Sequence, residues 1–245
     1  MLIGAFVAEV LAPERRTIIE TSSGLKFYAD PLSNFGSNLV KMRVYEKETE
    51  QIIREHLFEH ESFLDVGANE GYFSVLAASI IGSDGYVAAV EPQSRLCEII
   101  KINLALNGMK GNLFNAALGG AKGDRCHLHL YPSLNTGASS MLKKPRFYRK
   151  RETAIFADPL ELLGRQGSFA FVKVDVEGYE GEVVKALQPL LQSGRIRTLF
   201  IDYHASILHA FGIDPAAIER TILRSGMSLE GKPAGYSGYR LYLRN

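Results

Sequence analysis

The sequence predicts an α/β fold of the doubly wound type, a mostly parallel sheet with helices on both faces. Three observations carry this. After Glu61, short apolar runs alternate with helical stretches, the runs being Phe63–Val66, Tyr86–Val90, Leu113–Ala117, Phe169–Val176 and Arg197–Asp202. Such alternation is the mark of βαβ units. The first run closes in a glycine-rich turn that opens a helix, Tyr72–Ile81. Acidic residues stand at or just after the strand ends, at Asp65, Glu91 and Asp175, and in such sheets ligands bind outside the carboxyl ends of the strands.

The elements follow in order. Residues 1–43 read as a strand-rich N-terminal extension and not as a separate domain: Arg16–Glu20 and Gly24–Tyr28 have strand character, and Pro31 and Gly36 mark turns. The remaining residues, 44–245, form the main domain. Residues 44–57 are helical in composition. The helix Tyr72–Ile81 ends at Gly82. Ser94 is placed as the N-cap of a helix carrying Leu96, Ile99, Ile100 and Leu104 on one face and stopped by Asn107 and Gly108. Residues 126–131 alternate at period two, as an edge or hairpin strand does. A helix runs from the end of the fourth core strand through Leu191, and another spans Pro215–Arg224. Met227–Glu230 and Tyr239–Leu243 close the chain as an antiparallel pair.

Bulk properties limit the function. The 245 residues suffice for one domain with a sizeable core. Hydrophobic residues make up 46% and charged residues 22%, and a net charge of +1 provides no global field for nucleic acid or membrane. Cys97 and Cys126 have no metal-ligand spacing and read as reduced packing residues. No apolar run approaches the roughly 20 residues of a bilayer span. Met1–Glu9 is apolar but short and lacks a basic leading region, so a cytoplasmic protein without a signal peptide is expected.

The sharpest signal is the turn Asp65–Gly71. Gly67 and Gly71 allow a tight bend with close backbone approach, and Ala68, Asn69 and Tyr72 complete the segment. The spacing is G-x-x-x-G and not the G-x-G-x-x-G of dinucleotide binders, which cradles a pyrophosphate. An acidic Asp65 at the strand end would repel a pyrophosphate. It suits the cationic groups of S-adenosylmethionine, which has no phosphate. Glu91, followed by Pro92, lies 20 residues beyond Gly71 and can accept both ribose hydroxyls of an adenosine. That feature alone fits NAD equally well. Asn115 and Ala116, ending the third strand, are placed against the adenine.

The second strong feature is Lys173–Glu182. In a strand Lys173, Asp175 and Glu177 point to one side. Charges in a central parallel strand cost desolvation unless they pair or bind something. Either Lys173 and Asp175 form a structural ion pair, or Asp175 works beside the ligand, and its place next to the first strand favours the second. Glu182 reads as a helix N-terminal carboxylate stabilised by the dipole.

These pieces together resemble the FkbM family of methyltransferases. The matching segments are Tyr45–Glu46, Leu64–Ser74, Glu91–Pro92, Asn103–Gly108, Ala117–Gly119, Asn135–Ser140 and Val172–Glu180, in order over about residues 44–204. The resemblance implies a class I (Rossmann-like) methyltransferase fold with a seven-stranded sheet, S-adenosylmethionine as methyl donor, and a hydroxyl acceptor in polyketide, sugar or glycolipid chemistry. It also adds Glu46 to the donor-binding residues. Asp202 departs from the pattern, because the family typically has Glu there.

Methyl transfer from a sulfonium needs alignment and exclusion of water, and a hydroxyl acceptor needs a base. Asp175 and His204 are the candidates for the base, and Lys173 either orients Asp175 or stabilises an alkoxide. Asn135–Ser140 is polar enough to fold over the ligands as a lid. Lys143–Arg151 holds six basic residues and two aromatics. It reads first as a solvated loop and second as a contact for RNA, which would make the chain a ribose methyltransferase. A non-catalytic cofactor-binding subunit is the third reading. Asp175, Glu177 and Asp202 offer oxygen ligands, but no metal is expected. The acceptor is a small molecule or glycan, and a homodimer stays open.

Overall fold

The computed structural model describes residues 12–143, 150–231 and 235–244. In chain order the elements are helix α1 (Ala12–Arg15), strands β1 (Thr17–Glu20) and β2 (Lys26–Ala29), helices α2 (Asn34–Met42) and α3 (Lys47–His56), and strand β3 (Ser62–Val66). Helix α4 (Tyr72–Ile81), strand β4 (Tyr86–Val90), helix α5 (Ser94–Leu106), strand β5 (Asn112–Phe114) and strand β6 (Arg125–His129) follow. After a 3₁₀ turn at Ser133–Ala138 come β7 (Arg151–Ile155), α6 (Pro159–Leu162), β8 (Phe169–Val174), α7 (Glu180–Gln192) and β9 (Ile196–His204). Helices α8 (Ala205–Ala210) and α9 (Pro215–Arg224) and strands β10 (Met227–Leu229) and β11 (Ser237–Arg244) complete it. The Met1–Glu9 segment and residues 144–149 of the basic run lie outside the described residues.

The main sheet has seven strands in the order β10-β11-β9-β8-β3-β4-β5. β5, β4, β3, β8 and β9 run parallel, and β11 is antiparallel to both β9 and β10. Strand order reverses between β3 and β8. This is the doubly wound, mostly parallel sheet with a C-terminal antiparallel pair that the sequence predicts. The central strands are apolar on both faces, as helices on both sides require. Phe63 and Phe171 belong to the core layer shared with α4, while Leu64, Val66, Val172 and Val174 belong to the layer shared with α7. By the same alternation Asp65 and Lys173, which pair in register, extend the first layer toward the strand ends.

Several elements differ from expectation for local reasons. Gln93, not Ser94, holds the N-cap position of α5, and it makes no side-chain capping bond. The cap is tertiary instead, since the amide of Ser94 donates to Glu152 Oε1 at 2.8 Å. The strand expected over Leu113–Ala117 stops at Phe114, because the Asn115 side chain donates to the carbonyls of Glu91 and Pro92 and Ala117 bridges to Phe156. Strand β6 pairs with β7 in a two-stranded sheet apart from the main one. The strand expected to Val176 ends at Val174.

The N-terminal extension holds more than strands. β1 and β2 form a hairpin, and α2 follows, capped by Ser33 Oγ, which accepts from the amide of Gly36 at 3.0 Å. Phe27, Phe35 and Leu39 are buried in the core layer of Phe63 and Tyr72. Phe27 stacks on Tyr72 with ring centroids 4.9 Å apart. This unit therefore covers α4 and brings residues 33–46 to the carboxyl edge of the sheet.

The Phe63–Phe171 stack, 5.6 Å between centroids, joins the two central strands on one face. Phe171→Ala is expected to lower unfolding stability by about 3–5 kcal/mol, read from urea denaturation, with the main sheet otherwise retained.

Candidate active site

Two adjoining cavities open at the carboxyl ends of β3, β4, β8 and β9. The first is walled by apolar side chains, among them Val66, Val90, Pro92, Ala116, Leu118 and Leu128. Its polar margin includes Glu91, Asn69, Thr136, Asp175 and Glu177. The second is lined by Asn34, Phe35, Tyr45, Glu46, Asp202 and His204 together with shared residues. Gly67, Asn69, Thr136, Gly137, Asp175 and Glu177 belong to both.

Glycine makes the shared floor possible. Gly67 has φ +83°, and a Cβ there would lie 2.0 Å from the carbonyl oxygen of Asp175. A side chain at 67 would fill the space where the turn after β3 meets the end of β8. Asn69 also stands at positive φ, +51°. Its amide donates to Glu91 Oε2 at 2.9 Å, and Glu91 Oε1 accepts from the amide of Gln93 at 2.8 Å. Burial raises Glu91 to about 7, against the opposing pull of those two amides. The 3₁₀ turn closes the site from above: Thr136 Oγ1 donates to Asn69 Oδ1 at 3.1 Å. This is the polar segment expected as a lid.

Lys173 lies beneath both cavities, 2% exposed. Its ammonium is 3.0 Å from Asp175 Oδ2 and 4.8 Å from the Phe73 ring centroid. Burial alone would lower it, but Asp175, Asp65 and Glu46 hold it well above its ordinary value. Burial pushes Asp175 up, yet Lys173 and His204 keep it below the usual carboxylate range. His204 Nδ1 is 2.7 Å from the buried Glu180 Oε1, while Nε2 faces Glu177 Oε1 at 3.6 Å and Asp175 Oδ1 at 3.8 Å. Burial would lower His204, but Glu180, Asp175 and Glu177 raise it to about 9.

The surroundings thus favour the charged form of His204, which bears on its expected role as a base. Glu177 differs: burial raises it to about 7, with Asp175 adding to the rise and His204 opposing it. Sequence reasoning placed it on one strand face with Lys173 and Asp175 and named it as a source of oxygen ligands, not as a base. The strand has ended by then, and Glu177 reaches the site through a left-handed backbone, φ +49°. Glu46 and Asp202 are also raised, chiefly by burial.

Of the residues expected to touch the donor, Gly67, Asn69, Glu91, Pro92, Ala116, Asp175 and Glu46 line a cavity. Asp65, Ala68, Gly71, Tyr72 and Asn115 do not line these two. Asp65 is wholly buried and accepts from Ser74 Oγ at 2.7 Å, so it anchors α4 and faces Lys173 in register. Ala68 pairs its amide with the Val90 carbonyl. Gly71, at φ +82°, packs against Ile100. Tyr72 turns into the aromatic core and donates to Glu50. Asn115 braces the end of β4. Asn34 and Phe35 join the site without a sequence signal, since their places depend on how distant segments pack, and Glu180 joins it from the segment that sequence singled out.

S-adenosylmethionine fits this donor set. The apolar wall suits an adenine, Glu91 a ribose, and the carboxylates a sulfonium. Neither cavity is lined by an arginine or lysine among the described residues, while several carboxylates line both. Ligand-capable atoms of Asp175, Asp202 and His204 lie within 4.8 Å of one another, near enough for a divalent ion to bridge. The Lys173 ammonium and the His204 imidazolium already supply positive charge there.

Lys173→Ala would leave the wholly buried Asp65 without its facing ammonium and Asp175 with His204 as its remaining cation. It is expected to cost about 3–5 kcal/mol in thermal or urea unfolding, and Asp175→Asn less, since an amide needs no counter-charge.

Comparison with known proteins agrees with this geometry. No curated protein matches the chain by sequence. Among solved structures, a TehB-like SAM-dependent methyltransferase from Corynebacterium glutamicum superposes with a TM-score of 0.50 at 10% identity, covering 85% of this chain and 94% of the other. A precorrin-6y C5,15-methyltransferase from Geobacter metallireducens gives 0.48 at 12% identity, covering 84% and 91%. An rRNA methylase from Streptococcus thermophilus gives 0.45 at 11%, covering 80% and 94%. At such identities the likeness concerns the fold alone. The FkbM methyltransferase domain, however, matches residues 65–229, from Asp65 near the end of β3 to the end of β10. That span contains the donor turn, Glu91, the Lys173–Asp175 pair and His204, and it shows that the chain belongs to the FkbM family and is an S-adenosylmethionine-dependent methyltransferase.

Proposed function

We propose that the chain methylates a hydroxyl oxygen of a small molecule, a sugar, or a glycolipid or polyketide acceptor, with Glu177 taking the hydroxyl proton. The observation that carries this reading is the Glu177 carboxylate at the junction of the two cavities, raised to about 7 and facing an imidazolium. A base is most effective when its pKa lies near the working pH. A hydroxyl, unlike an amine free base or a thiolate, must give up a proton as it attacks.

When bound, S-adenosylmethionine supplies an electrophilic methyl group on a sulfonium. In this reading the first cavity holds the donor. Val90, Pro92, Ala116 and Leu118 enclose the adenine, and Glu91 accepts the ribose hydroxyls with the lone pairs its two amide partners leave free. Asn69 and Gly67 set the close backbone approach. Asp175, kept ionised by Lys173, presents a fixed negative charge toward the sulfonium. Glu46 stands across the second cavity, which takes the acceptor. His204 stays charged, is anchored by its hydrogen bond to Glu180, and faces Glu177 and Asp175 at ion-pair distance. The 3₁₀ turn over Asn69 excludes water.

The acceptor cavity speaks against an anionic substrate. Glu46, Asp175, Glu177 and Asp202 line it, and His204 is its only cationic lining residue among those described. A phosphodiester would meet carboxylates. This disfavours RNA as acceptor and leaves the basic residues Lys143, Lys150 and Arg151 as a solvated surface feature.

The experiment is methyl transfer from labelled S-adenosylmethionine to a panel of neutral hydroxylated acceptors, with the product bond identified. Methyl ethers, which survive mild base, are expected. Label appearing only as N-methyl groups or in RNA would refute the reading. On any accepted hydroxyl, kcat/KM should rise through about pH 7 as Glu177 loses its proton and fall above about pH 9 as His204 loses its own. Glu177→Gln is expected to lower kcat by about 10²–10⁴-fold and to abolish the acid limb of that profile.

A further inference from the structure

The turn after β3 is held partly from outside the region the family shares. The family match begins at residue 65, yet Arg16, just before β1, reaches into the turn. Arg16 Nη1 donates to Glu70 Oε2 at 2.7 Å and to the Tyr28 carbonyl at 2.9 Å. Glu70 is 1% exposed, and its other oxygen, Oε1, has no partner among the described residues. Arg16 is nearly buried as well, its side chain 8% exposed. Asn103 of α5 adds a second tie: its Oδ1 accepts from the amide of Tyr28 at 2.7 Å, and its Nδ2 donates to the carbonyl of Glu70 at 2.8 Å.

Glu70 stands between Asn69 and Gly71, both at positive φ. Its neighbour Asn69 lines both cavities and donates its amide to Glu91. A carboxylate buried without its cation must take up a proton or swing toward water. A swing at position 70 would carry Asn69 with it and break the contact with Glu91.

We propose that Arg16 is a positioning residue for the methyl donor: by neutralising the buried Glu70 it holds the 67–71 turn in the shape that presents Asn69 and Glu91 to the donor. The hairpin is then part of the donor site, although it lies outside the family domain. This inference rests on the donor cavity assigned above.

The test is calorimetric titration of the full chain with S-adenosylmethionine, well below the melting temperature, for wild type, Arg16→Ala, Arg16→Lys and the double variant Arg16→Ala with Glu70→Gln. Loss of a hydrogen bond to a charged group predicts a donor Kd weakened about tenfold in Arg16→Ala. Arg16→Lys should recover part of this. The double variant should return to within about threefold of wild type, because a buried amide needs no cation. A merely structural tether would lower Tm in Arg16→Ala and leave Kd unchanged, which would overturn the proposal. A double variant as weak as the single one would also overturn it. If Arg16→Ala does not fold, the lysine and double variants decide by the same comparison. Wild type that binds no donor would overturn the donor site itself, a result distinct from unaltered binding in the variants.

Discussion

A lysine ammonium shut away from water near the end of β8 acts on the carboxylates of Asp175, Asp65, Glu46 and Asp202 around it. Lys173 is held between Asp175, in hydrogen-bond contact, and Asp65, its register partner on β3. Two central parallel strands can bring charged groups together here only because each neutralises the other. The pair fixes the two strand ends on either side of the switch point. It also keeps Asp175 ionised in a place where burial would otherwise protonate it. The floor of both cavities depends on that arrangement, since Gly67 approaches the backbone of Asp175 too closely for any side chain.

From this fixed charge the other groups acquire separate tasks. Acidic residues crowd one small volume, and their environments push them apart. Asp175 is low because of Lys173 and His204, while Glu177 and Glu91 are raised to about 7 by burial. His204 is pinned by Glu180 and charged by its neighbours. The imidazole is therefore held toward its charged form, while the Glu177 carboxylate beside it is raised toward neutral pH.

The N-terminal unit supplies what the strand ends cannot. Helix α2 and the approach to α3 bring Asn34, Phe35, Tyr45 and Glu46 over the outer side of the second cavity. The hairpin reaches the donor turn through Arg16. The catalytic edge of the sheet is thus walled by a segment that begins far away in sequence, joined to it by the Phe27–Tyr72 stack and the buried Arg16–Glu70 pair.

Local patterns along the chain were enough to read the sheet and to point to its carboxyl edge. Period-two and helical patterns are local, so Tyr72–Ile81, Tyr86–Val90 and Pro215–Arg224 were legible to the residue. Glycines at 67 and 71 and acids at the strand ends reported the donor turn, because backbone freedom and charge are properties of single residues. Which of these residues line the cavities depends on the packing of the folded chain. Asp65 and Tyr72 sit in the donor motif yet turn inward, toward Ser74 and the aromatic core, and Asn115 braces a neighbouring strand instead of lining a wall. The roles of His204 and Glu177 are set by Glu180, Asp175 and burial, and the reach of Arg16 to Glu70 spans 54 residues. Ionisation and orientation depend on neighbours brought close by folding, and no spacing along the chain records them.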